Sequence, residues 1–181
     1  MLLADVVSAS RDVAATRSRK AKVAALAEAL AQAAPEEIVT VTSYLAGSLR
    51  QRRTGLGWRG VSDLPEPADY PSLTVLEVHE HFDTIAALAG AGSQAARKAA
   101  VADLFGRATE AEQAWLRGVV TGAVRQGALD ALVQEAIAAA AEVPLAAVRR
   151  AAMLAGSTVA IAVAAFEGED AGCWIDYAVT R

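Results

Sequence analysis

The chain has 181 residues, of which 54% are hydrophobic and only 5% aromatic, and a formal net charge of −4. That length buries a sizeable core in one domain or two small lobes, built mainly of Ala, Leu and Val, without metals or disulfides. The lone Cys173 excludes an internal disulfide framework and a cysteine metal cluster. The acidic total argues only weakly against a polyanionic partner, because the charge is uneven: +4 over residues 1–60, −6 over 61–90, +1 over 91–150 and −3 over 151–181. It is the local field that steers an anion.

The first residues, MLLADVVSAS, contain Asp5 and lack both a basic start and a long apolar run, so no signal peptide is expected. Val23, Leu26, Ala27 and Leu30 recur at helical spacing, and Pro35 ends that element. Pro35 then suits the first turn of a second helix over about Glu36 to Leu49, with two acids near its positive end. RQRRTGLGWRG, Arg50 to Gly60, reads as a basic loop broken by glycines. LPEPADYP, Leu64 to Pro71, has three prolines and reads as part of a linker between two helical lobes, over about residues 61–73.

Start signals are clear in the second half. Thr74 and Glu77 form a T-x-x-E capping box for a helix running to Gly90, and Thr109 with Glu112 forms another for a helix through Val119. Between them, Ser93 is placed to cap a helix to about Arg107. A further helix is predicted over about Ala128 to Ala141, Pro144 starts another, and Ser157 caps the last, through Ala165. The alternation in TVLEVH is outweighed by its capping box and by the spacing of Val75, Val78, Phe82 and Ile85. The fold class is all-α. The apolar stretch Val143 to Phe166 is interrupted by Arg149, Arg150, Gly156 and Ser157, which rules out a membrane span there and leaves a soluble cytoplasmic protein as the expectation.

Few residues offer catalytic chemistry. His79 and His81, two apart on a helix, point about 200° apart and do not chelate one metal together. Glu77, Glu80 and Asp83 share a helical stripe that reads as a solvated acidic face. GLGWRG lacks the G-K-[ST] of a phosphate loop, and no strand leads into GAGSQ as a dinucleotide fold requires. Both glycine loops nevertheless offer backbone N–H groups. Ser93 and Gln94 begin a helix, where unpaired amides and the dipole favour an anion, although a plain helix connection uses the same glycines.

The cations are more informative. TRSRKAK places Arg17, Arg19, Lys20 and Lys22 at the start of a helix, where positive charge opposes the dipole, and this points to an anionic partner. Arg50, Arg52 and Arg53 follow a helix C-terminus, where satisfaction of the dipole explains them. Arg97 and Lys98 lie one turn past the GAGSQ loop. TGAVRQGALDAL places Arg125 between Gly122 and Gly127, an arrangement that serves either a packing turn or a phosphate clamp.

In order along the chain, TRSRKAKVAALAEAL, YLAGSLRQRRTGLGW, LAGAGSQAARKAAVADLFGRATEAEQAWLRGVV, TGAVRQGALDALVQEAI and VRRAAMLAGSTVAIA resemble successive elements of the N-terminal DNA-binding domain of bacterial and archaeal ATP-dependent DNA ligases. The resemblance covers about Leu3 to Phe166. It implies a compact multi-helix domain that holds the minor groove on both sides of a nick in duplex DNA, through sugar and phosphate and without sequence specificity. By position, the G-x-L-R-x-G element makes Gly122, Arg125, Gly127 and Ala128 DNA-contacting, and the G-x-G-S-Q element does the same for Gly92, Ser93, Gln94 and Lys98. Arg17 and Arg19 of the opening S-R-x-x-K element join them. Val124 and Gln126 depart from the family pattern but leave its glycines and arginine in place.

The resemblance further implies that sealing needs ATP, a divalent metal and a separate catalytic domain carrying a K-x-D-G lysine. The lysines here are Lys20, Lys22 and Lys98, none in such a motif, so this chain is expected to bind no cofactor and to be inactive alone. The tail, residues 167–181, stops resembling the family and is expected to be a divergent end before a catalytic portion. A rival reading is an all-helical protein-interaction module that does not bind DNA, with Trp58, Trp115 and Trp174 as anchors.

Overall fold

In the computed structural model, which describes residues 1–124 and 129–167, the regular elements are helices, and residues 46–74 are irregular apart from one short 3-10 turn. Nine α-helices lie among the described residues. The first, α1 (Leu3–Ala15), is not anticipated as an element by the sequence reading. Its buried side chains Leu3, Val6, Val7 and Val13 follow a helical stripe, and Asp5 accepts from the Leu2 amide at 3.0 Å to start it. α2 (Arg19–Ala31) is capped by Ser18, whose hydroxyl accepts from the Ala21 amide at 3.3 Å.

The helix expected over 36–49 is shorter and divided. Pro35–Glu37 forms a single 3-10 turn, and α3 (Ile38–Leu45) follows. The Glu37 carboxylate accepts from the Ala34 amide at 2.9 Å and pairs with the chain-terminal ammonium of Met1 at 2.5 Å. α3 ends early because Gly47 takes the left-handed φ of +71°, which turns the chain away. Nearly every residue of α3 is buried, Thr40, Thr42 and Ser43 included, so it is the axis on which other helices rest. Tyr44 on it meets Trp115 with ring centroids 5.4 Å apart.

α4 (Val75–Ala87) and α6 (Glu110–Thr121) begin at the predicted capping boxes. Thr74 and Thr109 each accept from the amide three residues on, and Glu77 and Glu112 reach back. α5 (Ser93–Gly106) differs from expectation in its cap. Gly92, at φ +81°, is the residue before the first turn, and Ser93 is already helical with its hydroxyl not capping. α7 (Leu129–Ala140), α8 (Leu145–Ala155) and α9 (Thr158–Glu167) complete the set, with the Ser157 hydroxyl accepting from the Ala160 amide at 3.3 Å as predicted.

α1, α2 and α3 pack with α7, α8 and α9, so the two ends of the described chain form one group; α2 against α7 is its most extensive pair. α4 packs on α5 and α3, α5 lies against the short 3-10 turn Trp58–Val61, and α6 bridges from that turn to α1. A single set of buried apolar residues runs through both groups. The proline-rich segment is tied down rather than loose: Ala68 N–H donates to Ala108 O at 2.9 Å, Leu3 N–H to Leu73 O at 2.8 Å, and the Gln113 side chain to Pro65 O at 3.1 Å. No helix among the described residues is long and apolar enough to cross a membrane.

Candidate nucleic-acid interface

The basic loop Arg50 to Gly60 is anchored at its base and open at its tip. Arg50 reaches back to the Thr40 hydroxyl at 3.1 Å. This corrects the dipole explanation for the three arginines: α3 stops at Leu45, Arg50 bonds a side chain, and Arg52 and Arg53 are exposed beyond it. Gln51 donates to Asp83 Oδ1 at 2.7 Å and lies 2.8 Å from His79 Nδ1. His79 Nε2 is 3.3 Å from Asp83 Oδ2, so the Nε2–H tautomer satisfies both neighbours. Burial, joined by the nearby charge of Arg50, pushes His79 below its ordinary pKa, against the upward pull of Asp83 and Glu80.

Further along, Gly55 at φ +68° lies on the guanidinium of Arg97; a Cβ there would stand 3.2 Å from its Cζ. Arg97 in turn donates from Nη2 to Leu88 O at 2.7 Å. Loop and helix enclose a groove of about 610 Å³, with Gly55, Gly57, Arg59, Gln94 and Lys98 on its walls. Two elements that the sequence marks separately, GLGWRG and GAGSQ, therefore share one cleft. Trp58, between Gly57 and Arg59 in sequence, is 64% exposed.

The predicted contact residues fall out as follows. Gly92 and Gln94 are exposed at the start of α5, and Lys98 is exposed one turn on. The Ser93 amide is committed to Gly90 O at 3.3 Å, which leaves Gln94 and Ala95 as the first-turn amides without an intrahelical acceptor. Gly122, at φ +77°, closes α6 with the Ala123 amide donating back to Gly118 O at 2.8 Å, a Schellman ending. Arg125, Gly127 and Ala128 lie outside the described residues. Val124 packs into a slot between two glycines: a Cβ on Gly118 would meet its Cγ2 at 2.7 Å, and one on Gly47 its carbonyl oxygen at 2.9 Å. The loop 46–57 thus runs from the Gly122–Val124 turn at one end to α5 at the other.

Arg17 is exposed between α1 and α2. Arg19 is bound to Glu135 of α7, with Nη2 to Oε1 at 2.8 Å, so its position at a helix start is offset within the protein. Arg149 of α8 joins the same carboxylate at 3.0 Å. Glu135 and Arg149 were not singled out as site residues from the sequence; the signal is a spatial one, since residues 116 apart meet there. Trp115 is 6% exposed and belongs to the core, which removes it as a surface anchor. His79 and His81 face different partners, His81 lying 3.8 Å from Asp103. Among the described residues no group of three or more His, Cys, Asp or Glu is placed to hold a metal ion.

Residues 61–138 match the family described as DNA ligase N terminus. Over that segment the chain is similar to the family. It is 71% identical over 173 residues to a probable DNA ligase of Nocardioides sp. (strain ATCC BAA-499 / JS614), an alignment that takes in 93% of this chain and 34% of that protein. Probable DNA ligases of Kineococcus radiotolerans and Beutenbergia cavernae are 63% and 59% identical, over 93% and 91% of this chain and 34% and 32% of theirs. The chain spans about a third of the length of these ligase relatives. The two capping boxes and helices α4 to α6 fall within the matched family segment, and the basic loop precedes it.

Proposed function

We propose that this ligase segment grips nicked duplex DNA through the minor groove and backbone, without sequence specificity, so that a separate catalytic part can seal the nick. The observation that carries this reading is the cleft shared by the Gly55–Gly60 loop and the start of α5. There Arg59 and Lys98 supply charge, the Gln94 and Ala95 amides supply donors at a positive helix end, and glycines remove side-chain bulk. The Gly122–Val124 turn adds the described part of a further contact element, whose Arg125, Gly127 and Ala128 we assign to DNA from the sequence. Gly92, Ser93, Arg17 and Arg19 complete the proposed contact set. Sealing chemistry, with ATP and a divalent metal, belongs in this reading to the catalytic part. The residues here do not fit that role, because Lys20 and Lys22 are helical surface residues and Lys98 faces the cleft, none within a K-x-D-G segment.

The test is binding of a nicked duplex at several salt concentrations. Lys98→Ala and Arg125→Ala should each lower affinity and reduce the log–log salt slope by about 0.9. Duplexes of unrelated sequence should bind alike. Unchanged affinity and slope in both variants would overturn the contact assignment, and no shift of any duplex at micromolar protein and low salt would overturn the reading. That outcome would favour a protein-docking module, for which Met153 and Leu154, 75% and 48% exposed at the end of α8, are the supporting observation.

A further inference from the structure

Two arginines from distant parts of the chain converge on one carboxylate. Arg19 makes two parallel bonds to Glu135, Nη2 to Oε1 at 2.8 Å and Nε to Oε2 at 3.2 Å. Arg149 donates from Nη2 to the same Oε1 at 3.0 Å. The guanidinium side chains remain 57% and 53% exposed, while Glu135 is 20% exposed beneath them. One carboxylate does not neutralise two guanidiniums, so the group keeps a net positive charge. Each guanidinium has five N–H donors, so about seven are left over, and no other acceptor among the described residues takes one.

A surface ion pair of this kind adds little stability, and a single arginine would suffice to satisfy Glu135. The second arginine makes sense when a further anion approaches. Guanidiniums already oriented by a carboxylate lose less freedom on binding, and their planar forks suit phosphate oxygens. The hydrogen bond from Arg19 holds Glu135 below its ordinary pKa, so the strut stays ionised. Arg17 and Lys20 are exposed on either side of Arg19 in sequence. Arg149 also borders a depression of about 830 Å³ shared with Ser48, Asp130, Gln134 and Ser157, where the Gln134 amide donates to Asp130 at 3.2 Å. Ser48 follows Gly47, on which Val124 rests. The charged group is therefore continuous with the end of the loop opposite α5.

We propose that Arg19 and Arg149, held apart and oriented by Glu135, form a phosphate-binding fork that takes a second stretch of nucleic-acid backbone where α2, α7 and α8 meet. This rests on the DNA-binding reading and extends its footprint to Arg149 of α8, a residue that the sequence resemblance does not assign to DNA.

The experiment compares salt-dependent binding of nicked duplex by the unaltered protein, Arg149→Gln, Arg149→Lys and, as a control, Arg11→Gln. Arg11 is exposed on α1, whose Asp5 and Asp12 line a depression with Glu28 and leave that side acidic. Arg149→Gln should reduce the salt slope by about 0.9, which is roughly eightfold weaker binding at 0.1 M salt. Arg149→Lys should keep the slope and lose part of the affinity, and Arg11→Gln should change neither. In the unaltered protein the Nε–H resonances of Arg19 and Arg149 should shift on saturation with duplex, a readout that does not depend on any variant folding. A wild-type slope in Arg149→Gln, or unmoved arginine resonances in a saturated complex, would overturn the fork while leaving the DNA-binding reading in place. Absence of any binding by the unaltered protein would overturn both.

Discussion

The carbonyl oxygen of Val124 occupies the space beside Gly47, 2.9 Å from where a Cβ would stand. A turn that follows α6 is thereby pressed onto the end of α3, in contact backbone to backbone. Gly47 also holds a φ of +71°, so it meets two demands that only glycine meets together. Gly47→Ala should lower unfolding free energy by about 2 kcal/mol or more, since left-handed backbone alone costs roughly 1–2 kcal/mol. Gly122 has a similar φ of +77° but open space around it, so Gly122→Ala should cost only about 1 kcal/mol. Urea unfolding of both variants measures this as a midpoint shift at constant slope. Equal effects would mean that the turn does not press on α3.

Gly55 should separate binding from stability. Its φ is +68°, and an added Cβ would push on the Arg97 guanidinium, the far end of a side chain carried by α5. Gly55→Ala should displace the loop from α5 and widen the cleft. Weaker binding of nicked duplex is expected, with a loss of stability of about 1 kcal/mol from the backbone alone. Parallel titration and thermal unfolding distinguish the two quantities. Unchanged affinity would count against the cleft as a contact surface.

Acid should weaken the fold through Glu77. The Thr74 amide first, then Arg107 and the Thr74 hydroxyl, hold its pKa at about 2 against an ordinary 4.5. A carboxylate with a depressed folded pKa contributes stability that is complete above the unfolded value. That contribution is lost as pH falls through the folded one. The window is therefore about pH 4.5 down to 2. Glu37, lowered by its bonds to the chain-terminal ammonium and the Ala34 amide against the opposing effect of burial, acts in the same direction. Glu77→Gln should flatten the melting temperature across this window relative to the unaltered protein; an unchanged slope would assign acid sensitivity elsewhere.

The base of the basic loop should loosen near the titration of His79. The ring is held below its ordinary value of 6.5, chiefly by burial. Its neutral form is favoured by the fold, so the associated stability is full above that value and is lost as pH falls through the folded one. A protonated Nδ1 no longer accepts from Gln51. Hydrogen exchange over residues 50–57 should therefore speed up on acidification relative to α3, and Gln51→Ala should show the faster exchange already at neutral pH. Exchange rates unaffected by Gln51→Ala would remove His79 and Gln51 as the loop's tether.

The parts of this fold that were legible in the sequence are those written in local chemistry. The pairs Thr74–Glu77 and Thr109–Glu112 announced two helix starts, and Ser157 a third, because a cap is a relation between residues three apart. α1 has no such local signal, since its stripe Leu3, Val6, Val7 and Val13 follows Leu2, which offers no side-chain cap. The early end of α3 is not legible in the same way, because Gly47 stands where Val124, a partner more than seventy residues away, packs against it. The same distinction holds at the candidate interface. Gly92, Gln94 and Lys98 form a local pattern that the sequence displays, whereas the meeting of Gly55 with Arg97, and of Arg19 with Glu135 and Arg149, exists only once α2, α5, α7 and α8 are packed.

The partnership of α2 with α7 sets an order on how a nascent chain can fold. Leu26 and Leu30 of α2 are buried in the finished structure, yet α7 lies about a hundred residues downstream, and Arg19 and Glu135 are 116 apart. At roughly 5–20 residues per second, synthesis of that interval lasts on the order of 6–20 s. During it α4, α5 and α6 are made in turn, while α2 has α1 and α3 beside it but lacks α7, its most extensive partner. The group formed by the two ends is thus completed only when α7 emerges, and the face of α2 that α7 covers is open to a ribosome-bound chaperone until then.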